Sequence, residues 1–278
     1  MQLEGAIPQL PFRVLVIVAH PDDIEFGVAG SVANWTDAGA EVTYCIITDG
    51  GAGSNEPGAD LAALVETRRQ EQIAAAEIVG VKDVRFLGYK DGVLQPTLEL
   101  RKDLTRLIRE IRPQRVVIMD PTTILVQGEG FDYINHPDHR AAGEAALYAV
   151  FPSAGTRPIF MDLLEAGYEP HNVDELYMTI AGKANLAVDV TDQFERKIKS
   201  LLMHKSQLGE DVRQMIEMWD METGKEVGVK YAESFRVMRF NQSPALPANA
   251  ADGSESSGSI EADAALENQP THEPVSSS

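Results

Sequence analysis

The sequence holds one cysteine, Cys45, so no disulfide can close within the chain and a disulfide-stapled scaffold is excluded. Cys45 sits in the apolar run Val42 to Thr48, where a buried thiol in a reducing compartment is expected. No apolar run approaches the roughly 20 residues that span a bilayer. Met1 to Phe12 also lacks a basic segment followed by a long apolar one, so neither membrane insertion nor an export signal is expected, and the cytoplasm is the expected compartment. Cations are scarce: 24 Lys and Arg stand against 43 Asp and Glu, a formal net charge of −19. Nucleic acids and anionic membranes are bound by clustered Lys and Arg, so neither is an expected partner. No fixed-period repeat is present, which excludes a solenoid or propeller. Gly50-Gly51-Ala52-Gly53 lacks both the Gly-x-Gly-x-x-Gly spacing and a Lys-Ser/Thr pair, so it predicts no nucleotide loop.

What is present is an ordinary globular composition, 44% hydrophobic and 24% charged, in a chain of 278 residues that is long enough for a sizeable core. From Asn241 onward Lys, Arg and aromatic residues vanish and Ala, Ser, Pro, Gly and acids take over, so residues 241–278 are expected to form a disordered acidic tail after a folded domain of residues 1–240. Six acids lie in that tail, which leaves the folded part acidic in its own right. Within it, apolar β-branched runs at Arg13 to Ala19, Glu41 to Thr48, Asp83 to Leu87 and Arg115 to Asp120 alternate with amphipathic segments at Phe26 to Gly39, Leu61 to Val79, Leu98 to Arg112 and Pro137 to Val150. Continuously apolar strands are covered on both faces, which predicts an α/β, Rossmann-like fold with a mostly parallel sheet flanked by helices. Further strands are expected at Glu175 to Ala181 and Ala184 to Val190, with helices from Asp192 to Gln207 and Gly209 to Trp219. In such a sheet the ligand lies at the carboxyl ends of the strands, where strand order reverses.

Two polar clusters fall there. The first strand runs into His20-Pro21-Asp22-Asp23-Ile24-Glu25, and Asn135-His136-Pro137-Asp138-His139-Arg140 follows the fourth. Two histidines and a carboxylate are the usual protein ligands of a catalytic zinc that keeps one position open. His20, Asp23 and His139 are therefore the expected metal ligands. A hydrolysis also needs a general base and a donor to the developing oxyanion. Asp22, beside a ligand without being one, suits the base; His136 suits the donor or general acid, and Asp138 is expected to orient the His136 ring.

These residues give the sequence a close resemblance to the LmbE-like, or PIG-L, family of zinc-dependent N-deacetylases. The likeness is carried by Ala19-His20-Pro21-Asp22-Asp23 and His136-Pro137-Asp138-His139, with Thr48-Asp49-Gly50, Glu66-Thr67-Arg68 and Lys230 to Phe235 in support, over most of residues 12–240. The resemblance implies zinc on His20, Asp23 and His139, with Asp22 as base and His136, helped by Asp138, at the tetrahedral intermediate. Members act on N-acetylglucosamine joined to inositol, malate or phosphatidylinositol, including the mycothiol and bacillithiol types, so a small amino-sugar conjugate is the implied substrate. Ile24 stands where many members carry Glu, a variant found among bacillithiol-type deacetylases. Related proteins often form trimers or hexamers, which makes a homo-oligomer compatible with the likeness.

Each feature has a plainer reading. Asp22 and Asp23 could cap a helix, and the histidines could be ordinary polar residues at a strand end and a helix start. Arg68 is either a helix arginine paired with Glu66 or Glu71 or, chiefly by the family match, a substrate-binding residue; Asp49 is ambiguous in the same way. His204 is expected to pack or cap, Trp35 to lie in the core, and Trp219 and Tyr133 are candidate pocket walls. Iron(II) is the alternative metal, since the same triad serves non-haem iron oxygenases. A non-catalytic carbohydrate-binding protein is the other competing function.

Overall fold

In the computed structural model of the chain, residues 1–5, 12–128, 131–180 and 182–240 are described, and Met1–Asn241 form one compact unit. The expected tail, residues 241–278, lies outside the described residues. The apolar runs become strands. After the short β1 (Gln2–Leu3), β2 (Arg13–Val18) and β3 (Glu41–Thr48) are buried along nearly their whole length, β4 (Asp83–Tyr89) lies at an edge, and β5 (Arg115–Met119) is wholly buried. A hairpin of β6 (Leu125–Gly128) and β7 (Phe131–Ile134) stands apart, and β8 (Glu175–Thr179), β9 (Leu186–Asp189) and β10 (Ala232–Arg239) complete the set.

The main sheet runs β1-β9-β10-β8-β5-β2-β3-β4. Its centre is parallel, with Val16 opposite Tyr44 on one side and Val117 on the other. From β2 the chain moves outward through β3 and β4, then returns to lay β5 on the opposite flank of β2. The carboxyl ends of β2 and β5 therefore face a crevice at the reversal point.

The helices are α1 (Asp23–Gly27), α2 (Ala29–Asp37), α3 (Leu61–Ile78), α4 (Leu98–Ile111), α5 (Pro137–Tyr148), α6 (Met161–Glu165), α7 (Phe194–Leu201) and α8 (Val212–Val227). Asp60 and Thr97 cap α3 and α4 by accepting from the backbone N–H three residues on. The single helix expected over Phe26 to Gly39 is two helices, broken at Val28 (φ −140°). The break has a packing cause. A Cβ on Gly27 would stand 2.6 Å from Thr179 Oγ1, and one on Gly30 2.8 Å from Val190, so both helices press directly on the sheet. The first N–H groups of α2, on Gly30 and Ser31, donate to Glu233 at 3.0 and 2.7 Å.

The strands β1, β6, β7 and β10 and the short helix α6 were absent from the expected set. β10 pairs antiparallel with both β8 and β9, and its buried Phe235 and Val237 alternate with less buried neighbours, a half-covered rather than a continuous pattern. The β6–β7 hairpin is an excursion between β5 and α5. Trp35 is a core residue, edge-to-face with Tyr177 and tilted against Phe235. Cys45 is buried as expected, and burial pushes its thiol up to about 12. Among the described residues no helix is long and apolar enough to cross a membrane.

Candidate metal centre

β2 ends in a turn that folds Asp23 back on His20. The Asp23 carboxylate accepts the His20 N–H at 2.7 Å and lies 3.4 Å from His20 Nδ1. The turn requires Asp22 to adopt φ 99°, a left-handed conformation uncommon outside glycine, asparagine and aspartate. Across the crevice, His136 caps α5 and Pro137 takes the first helical turn, where its missing N–H costs nothing. One turn further, His139 Nε2 lies 3.0 Å from Asp23 Oδ1. Residues far apart in sequence thus meet: ring centroids of His20, His136 and His139 are 4.8 to 5.3 Å apart, and one ligand atom of each lies within 4.8 Å of the others.

Hydrogen bonding separates the three imidazoles by role. His139 Nδ1 lies 3.3 Å from Asn135 Oδ1, which only accepts, so Nδ1 carries the proton and the Nε2 lone pair faces Asp23. His20 Nε2 faces Asp91 Oδ1 at 3.0 Å and Asp138 Oδ2 at 3.4 Å, which fixes a proton there and leaves Nδ1 toward Asp23. His136 is the reverse: its Nδ1 accepts the Asp138 backbone N–H at 3.1 Å, so the neutral ring carries its proton on Nε2. A protonated nitrogen is a donor and cannot ligate. Burial, with His20 and His139 nearby, lowers the His136 pKa and keeps the ring neutral.

The charge balance asks for a cation. Burial works against a charged His20, yet Asp23, Asp138 and Asp91 around it raise its pKa to about 12. Burial pushes Asp23 up, and His139 and His20 more than offset this, holding it well below the usual carboxylate range. Two imidazole lone pairs and a carboxylate converging in so negative a pocket fit a divalent ion. Asp22 behaves differently. Burial and the neighbouring Asp23 raise it to about 7, against the opposing influence of Arg68, His204 and His20.

Arg68 does not face solvent beside Glu66 or Glu71. It is buried in α3, donating to the Pro21 carbonyl (2.8 Å), Asp22 Oδ2 (3.1 Å) and the Gly50 carbonyl (2.9 Å). Asp49 accepts from the N–H groups of Gly51 (2.9 Å) and Asp91 (3.2 Å) and pairs with Lys90 at 3.3 Å, at the pocket rim. One expectation is corrected: the Asp138 carboxylate does not hold the His136 ring. Its oxygens accept from Gly92 N–H (2.7 Å) and Leu94 N–H (3.1 Å) and face His20; only its backbone N–H meets His136. Tyr133 stands on β7, whereas Trp219 is on α8, which packs on β9 and β10 rather than at the site.

Asp91 was missed in the sequence. It is buried against His20, and although burial acts to raise it, the His20 contact and the Ala52 N–H lower its pKa to about 2. The available signal was an acid followed by a glycine, Asp91-Gly92, at the carboxyl end of β4, on the edge of the sheet where the other site residues lie. His204 packs in the interior as expected, and its partner, Glu25, was passed over. They are fully buried and paired at 3.1 Å.

Residues 15–150 match the family model described as PIG-L, GlcNAc-PI de-N-acetylase. The chain is 35% identical over 233 residues to diacetylchitobiose deacetylase of Thermococcus kodakarensis, covering 81% of this chain and 83% of that one. It is 32% identical over 217 residues to a probable N-acetyl-alpha-D-glucosaminyl L-malate deacetylase 2 of Bacillus subtilis, covering 74% and 87%. Among solved structures, the N,N'-diacetylchitobiose deacetylase of Pyrococcus horikoshii superposes with a TM-score of 0.75 at 33% identity, over 82% of this chain and 84% of that one.

Proposed function

This chain belongs to the PIG-L family of de-N-acetylases, and on that premise we propose that it hydrolyses the N-acetyl group of an amino-sugar conjugate to give the free amine and acetate. The observation that carries the reading is the convergence of His20 Nδ1 and His139 Nε2 on the two oxygens of Asp23, directly beside the Asp22 carboxyl, which Arg68 holds through Oδ2. His20, Asp23 and His139 would hold a divalent ion. Such an ion supplies Lewis-acid activation of water and polarisation of the amide carbonyl.

The chain's own groups supply the proton steps. Asp22 takes the proton of the attacking water and is held in place by Arg68. His136 offers its Nε2–H to the oxygen that gains charge as the carbonyl becomes tetrahedral. Asp91 and Asp138 keep the His20 ring in the tautomer that leaves Nδ1 free. Asp49 and Arg68 border the pocket, and contacts from them to substrate hydroxyls belong to the same proposal, as do zinc as the resident ion, residues 1–240 as the catalytic unit, a cytoplasmic setting and a homo-oligomer. The resemblance to deacetylases of diacetylchitobiose and of a glucosaminyl malate favours a glycosidically substituted N-acetylglucosamine as substrate.

The test is amine release from a panel of N-acetylglucosaminides by metal-loaded protein, with and without oxygen. Turnover should persist anaerobically, stop on chelation and return with zinc or iron(II). A requirement for oxygen would move the chain to the oxygenase reading, and an absence of amine release across the panel would leave only binding.

A further inference from the structure

We propose that Gln72 is a positioning residue for Asp22, and that a buried chain of Gln72, Glu25 and His204 fixes which way its amide points; this rests on the reading of Asp22 as the base. The turn at Asp22 is an uncommon backbone geometry, and such geometry persists only where the surroundings over-determine it. Arg68 holds the carboxylate and the preceding carbonyl. The Asp22 N–H donates to Gln72 Oε1 at 2.9 Å, reaching from α3 to the end of β2.

The other end of the same amide is equally committed. Gln72 Nε2 donates to Glu25 Oε1 at 3.0 Å, and Glu25 Oε2 faces His204 Nε2 at 3.1 Å. Gln72, Glu25 and His204 are all completely buried, so water cannot substitute for a lost partner. A backbone N–H can only donate and a carboxylate can only accept. Rotating the Gln72 amide by half a turn would therefore set donor against donor at Asp22 and acceptor against acceptor at Glu25. The pair of contacts allows one orientation, and that orientation presents an oxygen to the Asp22 N–H. Among the described residues none of the three hydrogen-bonds His20, Asp23 or His139; Gln72 reaches the site through the Asp22 N–H, Glu25 acts behind it, and His204 also lowers the Asp22 pKa through space.

Three variants and two readouts test this. Gln72→Leu keeps the volume but can neither accept from Asp22 nor donate to Glu25. It should lower kcat by about tenfold or more with KM within about twofold and bound metal unchanged, since a misplaced base costs rate rather than binding. Gln72→Glu alone sets a second carboxylate against Glu25 and should lose kcat comparably. Combining it with Glu25→Gln exchanges the two groups and restores every hydrogen bond, with an acceptor for Asp22, a donor between the pair and an oxygen for His204. The double variant should recover kcat to within about threefold of wild type. Amide hydrogen exchange across residues 20–26 gives a reading independent of turnover: Gln72→Leu should release the Asp22 amide, and the double variant should protect it again. Loss of kcat in both single variants with no recovery in the double would assign Gln72 to packing alone and overturn the proposal. Retained kcat and retained Asp22 protection in Gln72→Leu would overturn it as well. If wild type releases no amine from any N-acetylglucosaminide, the reading of the site fails, and the exchange measurement still decides whether Gln72 holds the turn.

Discussion

Replacing Asp22 by asparagine isolates the proton-transfer step better than alanine does. At φ 99° alanine would strain the turn, whereas asparagine tolerates the left-handed region and can still offer an oxygen to Arg68. The ligand turn, the Arg68 contact and the Gln72 contact to the Asp22 N–H should all survive, and only the basic oxygen is lost. Removing a positioned general base costs about 10² to 10⁴ in rate, or roughly 3 to 5 kcal/mol of barrier. The assay is steady-state amine release by metal-loaded protein, with metal content measured on the same samples. Wild-type activity should also rise with pH as Asp22 ionises, because the base works only when unprotonated. Burial and Asp23 raise the Asp22 carboxyl to about 7 without an ion, and a divalent ion alongside favours the carboxylate, so the rise in activity should lie below that. The asparagine variant should show no such rise. Asp22→Gly, which also accepts positive φ, should lose a similar factor. Turnover within about tenfold of wild type in either variant, with metal bound, would remove Asp22 from the proton-transfer role.

The tautomer argument separates two histidines that look alike in sequence. His139→Ala should lose metal together with activity, while His136→Ala should keep metal and lose about 10² to 10³ in kcat; metal loss from the His136 variant would make that residue a ligand. Lys197 is completely buried against Asp220 (2.8 Å) and Glu233 (2.9 Å), and Lys197→Met should destabilise the fold by about 3 to 5 kcal/mol in urea titration, because two buried carboxylates lose their counter-charge. Burial leads the shift that raises Asp220 from 3.8 to about 6, Lys197 and Glu233 opposing each other. The folded state therefore binds that proton more tightly than the unfolded chain does, so this group's stabilising contribution is full below pH 3.8 and is lost as pH rises through about 6. Asp220→Asn should flatten the stability profile in that window, and an unchanged slope would contradict the assignment.

The parallel half of the fold was legible because burial on both faces writes itself as unbroken apolar runs: β3 spans Glu41–Thr48 as expected, and β2 and β5 differ from expectation by a residue at the carboxyl end. The first histidine cluster comes directly after β2, as that reading expects, whereas the second follows β5 only after the β6–β7 hairpin, which the apolar pattern did not mark. What escaped was specified by three-dimensional neighbours. Val28 ends α1 because Gly27 and Gly30 press on β8 and the stretch after β9, a contact no window of local sequence contains. The partner of Asp138 could not be read either. A carboxylate next to His136 in sequence points away from it in space, toward His20 and a loop some 45 residues earlier, at Gly92 and Leu94. Asp91 and Gln72 escaped for a related reason: each lies in a segment whose composition marks only a turn or a helix, and their chemistry appears once folding brings Asp91 against His20 and Gln72 against the Asp22 N–H.

The placement of β10 bears on how the protein is made. Among the described residues this strand comes last in the chain, yet it is inserted between β8 and β9 rather than added at an edge. Until residues 232–239 have left the ribosome, β8 presents an open, mostly buried-type edge to the cell, and the β1–β9 ribbon has no partner strand to join it to the sheet. A nascent chain arrested before that point carries both histidine clusters and an incomplete sheet, so the interval between synthesis of β8 and of β10 leaves it open to pairing with the wrong strand.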